Sequence, residues 1–522
     1  MIKFFKKHYP LFIFIASIGI FLITFYLIRS FMTNFDEMDH ISAVYLMTQG
    51  QQLYKDIFAT HFPFPFYWAY LFSPIWAHPP FFKSITTLHF SLALFYILTF
   101  ISVYFSFKKN SFKIMFSVYI LFISLILGLY HGNLYLSEIF TGLMISSVLW
   151  VLIPIFLDKQ KLNNYTRLLL IIFASIGIWT QPLMIFLMLI PILLVSSKKE
   201  FFKTILIAFV INIIPLLALV FSGQFNDFYK QAVVFNSAVY SHDFPEKVGN
   251  NTMLTQTISD FFSHQRVLLT QFFNSTQIYQ FLLNIALIIF TAAILWKAKL
   301  VHKISWILLL IALMSRQVKT VPGVIFNFGT FPLLLISFIC LINLFYPENF
   351  GFKPKFKYIS KIIVVLVISI CFFFANKDNW PIFKQSLNPA YNYDVFWSNR
   401  EKTGRMINEL TKSDERILIY PNDPDFYFFS QRLPMDSFTY WYPWYDKIPE
   451  YKQERLNALK NTPPAIIYCG GLGYKSDPYL YAKFFPELLV NYKRVAYEGI
   501  PTDIWIRKGL ENRVQGSYSF QK

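Results

Sequence analysis

The chain has 522 residues with 47 Lys plus Arg against 29 Asp plus Glu, a formal charge of +18. Apolar residues reach 55% and charged residues only 15%, which excludes both a disordered chain, poor in aromatics and rich in charge, and an ordinary soluble globule. Three cysteines cannot build a disulfide framework.

A membrane helix needs about 20 mostly apolar residues. By that measure eleven spans are expected, at 11–28, 84–107, 114–130, 138–157, 168–178, 182–196, 204–222, 277–296, 304–315, 327–346 and 362–375. The pair 168–178 and 182–196, interrupted at Gln181-Pro182, reads either as two spans or as one broken helix. The first apolar run follows Lys3, Lys6 and Lys7. It is longer than a signal-peptide core and lacks a small-residue cleavage site, so a retained anchor is expected.

Charge orients the spans. Alternate loops, at 1–10, 108–113, 158–167, 197–203, 297–303 and 347–361, hold 19 Lys and Arg. The opposite loops are far sparser in basic residues. This is the positive-inside pattern, with the N-terminus in the cytoplasm. It accounts for much of the net charge without nucleic acid, and no basic-aromatic nucleic-acid module is present. The expected architecture is a polytopic α-helical membrane protein. Residues 1–375 form the membrane domain with outer loops 29–83 and 223–276, and residues 376–522 form an extracytoplasmic α/β domain.

That last region is polar and rich in turn signals. Arg416–Tyr420 and Ala465–Cys469 read as strands, each after a helix-like stretch, 396–411 and 450–460. Val495–Tyr497 and Asp503–Arg507 read as a closing hairpin. The loop 223–276 mixes polar turns with aromatics and is expected to be partly ordered and able to act as a lid.

The chemistry concentrates directly after the first span, in Asn34-Phe35-Asp36-Glu37-Met38-Asp39-His40. A helix beginning there puts Asp36, Asp39 and His40 on one face. Clustered carboxylates can hold a proton or a divalent cation such as magnesium or manganese. A tuned carboxylate is also the usual general base for an acceptor hydroxyl. The same residues serve equally as a helix start: Asn34 as cap, Glu37 completing a capping-box variant, and acidic side chains on the positive end of the dipole.

The loop continues with Gly50, Tyr54-Lys55-Asp56 and His61-Phe62-Pro63. This ordered set resembles bacterial members of the GT-C superfamily, the polyprenol-dependent glycosyltransferases related to protein mannosyltransferases and aminoarabinose transferases. Their first outer loop commonly carries Asp-Glu, a short helix, Gly-x-x-Leu-Tyr-x-Asp and His-x-Pro. Glu138 opens a span after a short outer loop, as a Glu often does in that family. Thr180-Gln181-Pro182 stands where relatives often have Thr-Lys-Pro, so this sequence departs from the pattern at Gln181.

The resemblance implies inverting transfer of a sugar from a polyprenyl-phosphate donor to an extracytoplasmic glycan, lipid or protein acceptor, at the plasma membrane of a bacterium. It makes Asp36 the base and Glu37 its partner. Asp39, His40 and Glu138 then orient acceptor or metal, Arg316, Lys319 and Arg29 are candidates for the lipid phosphate, and Tyr54, Asp56 and His61 form the loop motif. A lipid-linked-glycan transporter or flippase, or a non-catalytic cell-envelope assembly protein, is the competing class. A transporter needs charge at mid-depth in its spans.

The aromatic run Tyr440, Trp441, Tyr442, Trp444 and Tyr445 offers either glycan stacking or core packing. Gly470-Gly471-Leu472-Gly473 follows a strand-like run but lacks the full dinucleotide pattern. The charge distribution predicts that a cysteine introduced at Asn399 is labelled on intact cells. Labelling only after permeabilisation contradicts the orientation.

Overall fold

The computed structural model describes residues 2–29, 36–76, 81–127, 132, 134–157, 162–240, 299–317, 384, 387–388, 393–441, 445, 448–470 and 490–521. The N-terminal part is helical. Its α-helices are α1 (Ile2–Ile28), α2 (Asp36–Thr48), α3 (Pro63–Leu71), α4 (Ser73–Trp76), α5 (Phe81–Ser106) and α6 (Asn110–Ile126). They continue with α7 (Ser137–Leu157), α8 (Asn164–Thr180), α9 (Ile185–Leu193), α10 (Lys198–Phe221), α11 (Phe225–Phe228) and α12 (Leu300–Gln317).

Four stretches are long and apolar enough to cross a membrane: His8–Ile28, Ile85–Ser106, Ser137–Phe156 and Lys198–Phe221. Four of the other expected spans fall on shorter apolar helices, α6, α8, the Pro182–Leu193 stretch and α12. The expected spans 277–296, 327–346 and 362–375 lie outside the described residues, so the count of eleven is not reached among them.

Helix α7 is the axis of this bundle. It is apolar all round, as a helix buried on every side must be, and the whole of Ser137–Phe156 is buried. Two of its hydroxyls bond back to the helix itself: Thr141 to the Ser137 carbonyl at 2.9 Å and Ser147 to the Leu143 carbonyl at 2.6 Å. Helix α8 packs on α7, and α1 packs on α6. The interruption at Gln181 separates two packed helices. Gln181 is extended, a 3-10 turn covers Pro182–Met184, and α9 then packs back on α8. Proline at the head of the turn has no N–H to donate, which suits a restart of the chain. Asn212 on α10 accepts from the Trp179 indole at 3.1 Å and donates to Ser175 at 2.9 Å, tying α10 to α8.

The C-terminal part is α/β. Its sheet has six strands, β1 (Arg416–Pro421), β2 (Leu433–Pro434), β3 (Ile466–Gly470), β4 (Tyr492–Tyr497), β5 (Ile500–Arg507) and β6 (Tyr518–Phe520), in the order β2-β1-β3-β5-β4-β6. β1 runs parallel to β2 and β3, and the remaining pairs are antiparallel. The predicted strands are β1 and β3, and the predicted hairpin is β4–β5. The predicted helical stretches are α13 (Ser398–Leu410) and α15 (Pro449–Asn461). A short helix, α14 (Asp425–Ser430), crosses between β1 and β2. Gly404 lets α13 approach it closely: a Cβ there would sit 2.4 Å from the Phe429 Cβ.

Two buried carboxylates share one guanidinium beside that crossing. Arg400 donates to Asp425 at 2.5 Å and to Asp423 at 3.1 Å. Burial, and then the Asp425 charge, push Asp423 up to about 7 against the pull of Arg400. Burial raises Asp425 as well. A carboxyl whose folded pKa lies above its unfolded value stabilises the fold fully below the ordinary carboxylate range, and that contribution fades as pH rises through about 7. The C-terminal part of the full-length protein is therefore expected to lose thermal stability from pH 5 to pH 8. Asp423→Asn is expected to flatten that slope in pH-dependent unfolding.

Candidate active site

Helix α2 starts eight residues after α1 ends, and it is enclosed on nearly every side. Met38, Ile41, Val44, Tyr45 and Leu46 are all buried, together with the charged or ionisable Glu37, Asp39 and His40. It packs on α3 and on α14 of the C-terminal part, where Tyr45 meets Phe428 edge-on at 5.6 Å. The candidate residues of the first turn thus lie at the junction of the helical bundle and the sheet.

Asp36 is the first residue of α2. Glu37 is fully buried, and its Oε1 shares a hydrogen bond with His89 Nε2 on α5 and accepts the backbone N–H of Tyr135, each at 2.6 Å. The other ring nitrogen of His89 bonds the carbonyl of Arg29, at 2.5 Å. Asp39 turns to the C-terminal part and accepts from Thr439 Oγ1 at 3.4 Å. His40 stacks on Phe66, with ring centroids 4.7 Å apart, and its Nε2 lies 3.4 Å from Ser137 Oγ. Asp36, Asp39 and His40 fall at i, i+3 and i+4 of α2, as expected, and Asp39 and His40 flank that face and meet different partners because adjacent helical residues point about 100° apart. Glu37 and His40, three apart, are the pair that share a direction, toward the head of α7.

The other sequence candidates divide. Glu138 is in the first turn of α7 and buried, three residues after the Tyr135 that holds Glu37. The Arg29 guanidinium turns back onto its own helix, over the Tyr26 ring at 3.7 Å and onto the Tyr26 carbonyl. Its carbonyl, rather than its side chain, reaches the site. Arg316 lies at the end of α12, and Lys319 lies outside the described residues.

The loop motif is mostly architecture. Asp56 Oδ2 accepts the N–H of Gln52 at 2.8 Å and closes a turn. Gly50 has φ +86°, which a side chain would strain. Tyr54 itself is left-handed, at φ 68°. It is held there by its hydroxyl on the His61 carbonyl at 2.8 Å and by Gln231 Nε2 on its own carbonyl at 2.6 Å. The His61 ring stands 5.3 Å from that of His40.

Of the loop 223–276, the described part is α11 and a π-helix, Tyr229–Tyr240, and both serve the first loop. Gln231 bridges the Tyr54 carbonyl and the Ala59 N–H, and Asn236 donates to the Thr60 carbonyl at 2.7 Å. Residues 241–276 lie outside the described residues. The Phe58 ring lies 5.6 Å from Phe235, 4.9 Å from Phe438 and 5.1 Å from Tyr445. Tyr440, Trp441 and Tyr445 are therefore core, while Tyr442 and Trp444 are outside the described residues.

Sequence reasoning missed His89, Tyr135, Gln231 and Thr439. One signal was available for His89, an ionisable residue near the start of an apolar span. Among the described residues no group of three or more His, Cys, Asp or Glu side chains is placed to hold a metal ion. Gln231→Leu is expected to leave the buried Ala59 N–H and Tyr54 carbonyl unpaired, at about 1–3 kcal/mol each. Faster hydrogen exchange at Ala59, with the C-terminal strands unaffected, is the measurement that checks this.

No family model matches the chain, and no curated protein matches it by sequence. Among solved structures it superposes on the Archaeoglobus fulgidus oligosaccharyltransferase tethered with an acceptor peptide containing the NVT sequon. The TM-score is 0.50 at 11% identity, covering 99% of this chain and 74% of that one. ArnT from Cupriavidus metallidurans bound to undecaprenyl phosphate gives a TM-score of 0.48 at 11% identity, over 94% of this chain and 97% of that one. Likeness at such identity speaks for the fold alone. The chain, with its apolar helices and C-terminal sheet, is thus similar in fold to that oligosaccharyltransferase.

Proposed function

We propose that this chain is a membrane glycosyltransferase, moving a sugar from a polyprenyl-phosphate carrier to an acceptor hydroxyl outside the cytoplasm. The observation that carries this reading is the place of α2. Its acidic first turn follows the first long apolar helix and is closed in between the bundle and the sheet region, on the fold of an oligosaccharyltransferase. In this reading a lipid-borne donor and a water-borne acceptor meet at that turn.

In the proposed reaction the acceptor oxygen attacks the anomeric carbon as Asp36 takes its proton. The bond from that carbon to the phosphate oxygen breaks, and the polyprenyl phosphate leaves with the electron pair. A single displacement inverts the anomeric centre. The leaving phosphate needs cationic partners, for which Arg316 and Lys319 are the candidates. Glu37 is spoken for by two hydrogen-bond partners at 2.6 Å, which suits an orienting role better than that of base. Glu138, close behind Tyr135 in the chain, is the candidate for holding the acceptor. The acceptor is a wall polymer, a lipid-linked glycan or a protein, and the identity of the glycan that is lost with the gene distinguishes them. His89 sits near the start of its apolar span and not at mid-depth, which favours an interfacial site over a transport path.

Comparing surface glycans of cells with and without the gene is expected to show one missing sugar or linkage. Unchanged glycans would count against glycosyl transfer. Asp36→Asn is expected to keep expression and lower transfer about 10²–10⁴-fold. Near-wild-type transfer by that variant moves the base to Glu37 or Asp39.

A further inference from the structure

We infer that His89 is the positioning residue of the site, a staple that joins the end of α1 to the start of α2 and so fixes where Asp36 stands. This rests on the proposed role of Asp36, but the staple itself is a matter of geometry.

The chain between α1 and α2 runs from Arg29 to Asp36, and the two sides of one imidazole reach both ends of it. His89 bonds the Arg29 carbonyl through Nδ1 at 2.5 Å and Glu37 Oε1 through Nε2 at 2.6 Å. A carbonyl oxygen only accepts, so Nδ1 carries a hydrogen. The proton between Nε2 and Oε1 then belongs either to an imidazolium facing a carboxylate or to a neutral imidazole facing a carboxylic acid. The pair has no net charge in either case, which suits its full burial.

Each half of the staple also meets a helix-end requirement. The last carbonyls of a helix lack intrahelical donors, and the Arg29 carbonyl just beyond α1 is given one. The acid lies in the first turn of α2, where the helix dipole favours negative charge. Tyr135 N–H holds the same Oε1 from a third direction, so the head of α7, with Glu138, is registered to the same point. His89 comes from α5, which packs on α1, α3 and α7, so the staple is anchored in the rigid part of the bundle. A residue displaced by about 1 Å from a reacting centre can cost 10²-fold in rate. Asp36 is covalently next to the stapled Glu37.

The test uses the full chain in lipid nanodiscs and two readouts. His89→Phe keeps the ring volume and removes both donors. Hydrogen exchange at residues 36–41 is expected to quicken at least tenfold, with exchange in Val148–Ile153 of α7 unchanged. In cells, the sugar that depends on the gene is expected to fall about 100-fold at equal protein level. His89→Gln, which keeps one amide donor, is expected to fall between wild type and the Phe variant in both readouts, and it carries the test if the Phe variant does not accumulate. Unchanged exchange at 36–41 overturns the inference. So does a uniform rise across α7, which marks general destabilisation instead of a staple. Local quickening in a protein whose deletion alters no glycan upholds the staple and refutes the glycosyltransferase reading.

Discussion

The site is built around one constraint: an ionisable carboxyl group, that of Glu37, is fully buried. Taking such a group out of water costs several kcal/mol unless its partners are close and well aimed. Two hydrogen-bond partners at 2.6 Å meet that demand, one from α5 and one from the segment before α7. Removing one partner of a buried pair typically costs about 3–5 kcal/mol, a large share of the stability of any domain. The register of α1, α2, α5 and α7 is thereby tied to a single oxygen atom.

The second organising feature is the first loop, which is held partly by its own contacts and partly from outside. Tyr54 adopts a left-handed backbone that costs a residue with a side chain about 1–2 kcal/mol. The conformation persists because Gln231 and the His61 carbonyl bind the residue from two sides. The same loop donates the Phe58 N–H to the Ser437 carbonyl at 2.7 Å, so its far edge is stitched to the C-terminal part. There, the buried Arg455 clasps Asp436 through Nε at 2.7 Å and binds the Phe438 carbonyl at 3.0 Å. Asp436, Phe438 and Thr439 form one strap, braced by Arg455 behind and meeting Asp39 and Phe58 in front. Movement of the C-terminal part relative to the bundle would be felt at α2 directly.

Much of this was legible before any coordinates. Apolar runs foretold the described long helices because burial in a bundle demands them, and short apolar runs among turn signals foretold β1, β3 and the β4–β5 hairpin. The acidic cluster after the first span marked α2, since carboxylates are rare in so apolar a chain. The edges were harder. Spans inferred at 168–178 and 182–196 proved to be two packed helices with an extended Gln181 between them, which hydropathy alone does not distinguish from one kinked helix. The aromatic run at 440–445 looked equally suited to sugar or to core, and its described members are core because Phe58 and Phe235 arrive from elsewhere to bury them.

The sequence by itself determined the apolar, helical character of the molecule, the place of its described long helices and the stretch where acids gather, because these follow from local composition and period. Only the tertiary structure decided which acid is bound and by what. The partners of Glu37 stand 52 and 98 residues away along the chain, and the donor to Asp39 stands 400 away. No spacing rule connects such positions. They meet because packing α5 and the head of α7 against α2 leaves a buried charge that must find hydrogen-bond donors, and the fold supplies them.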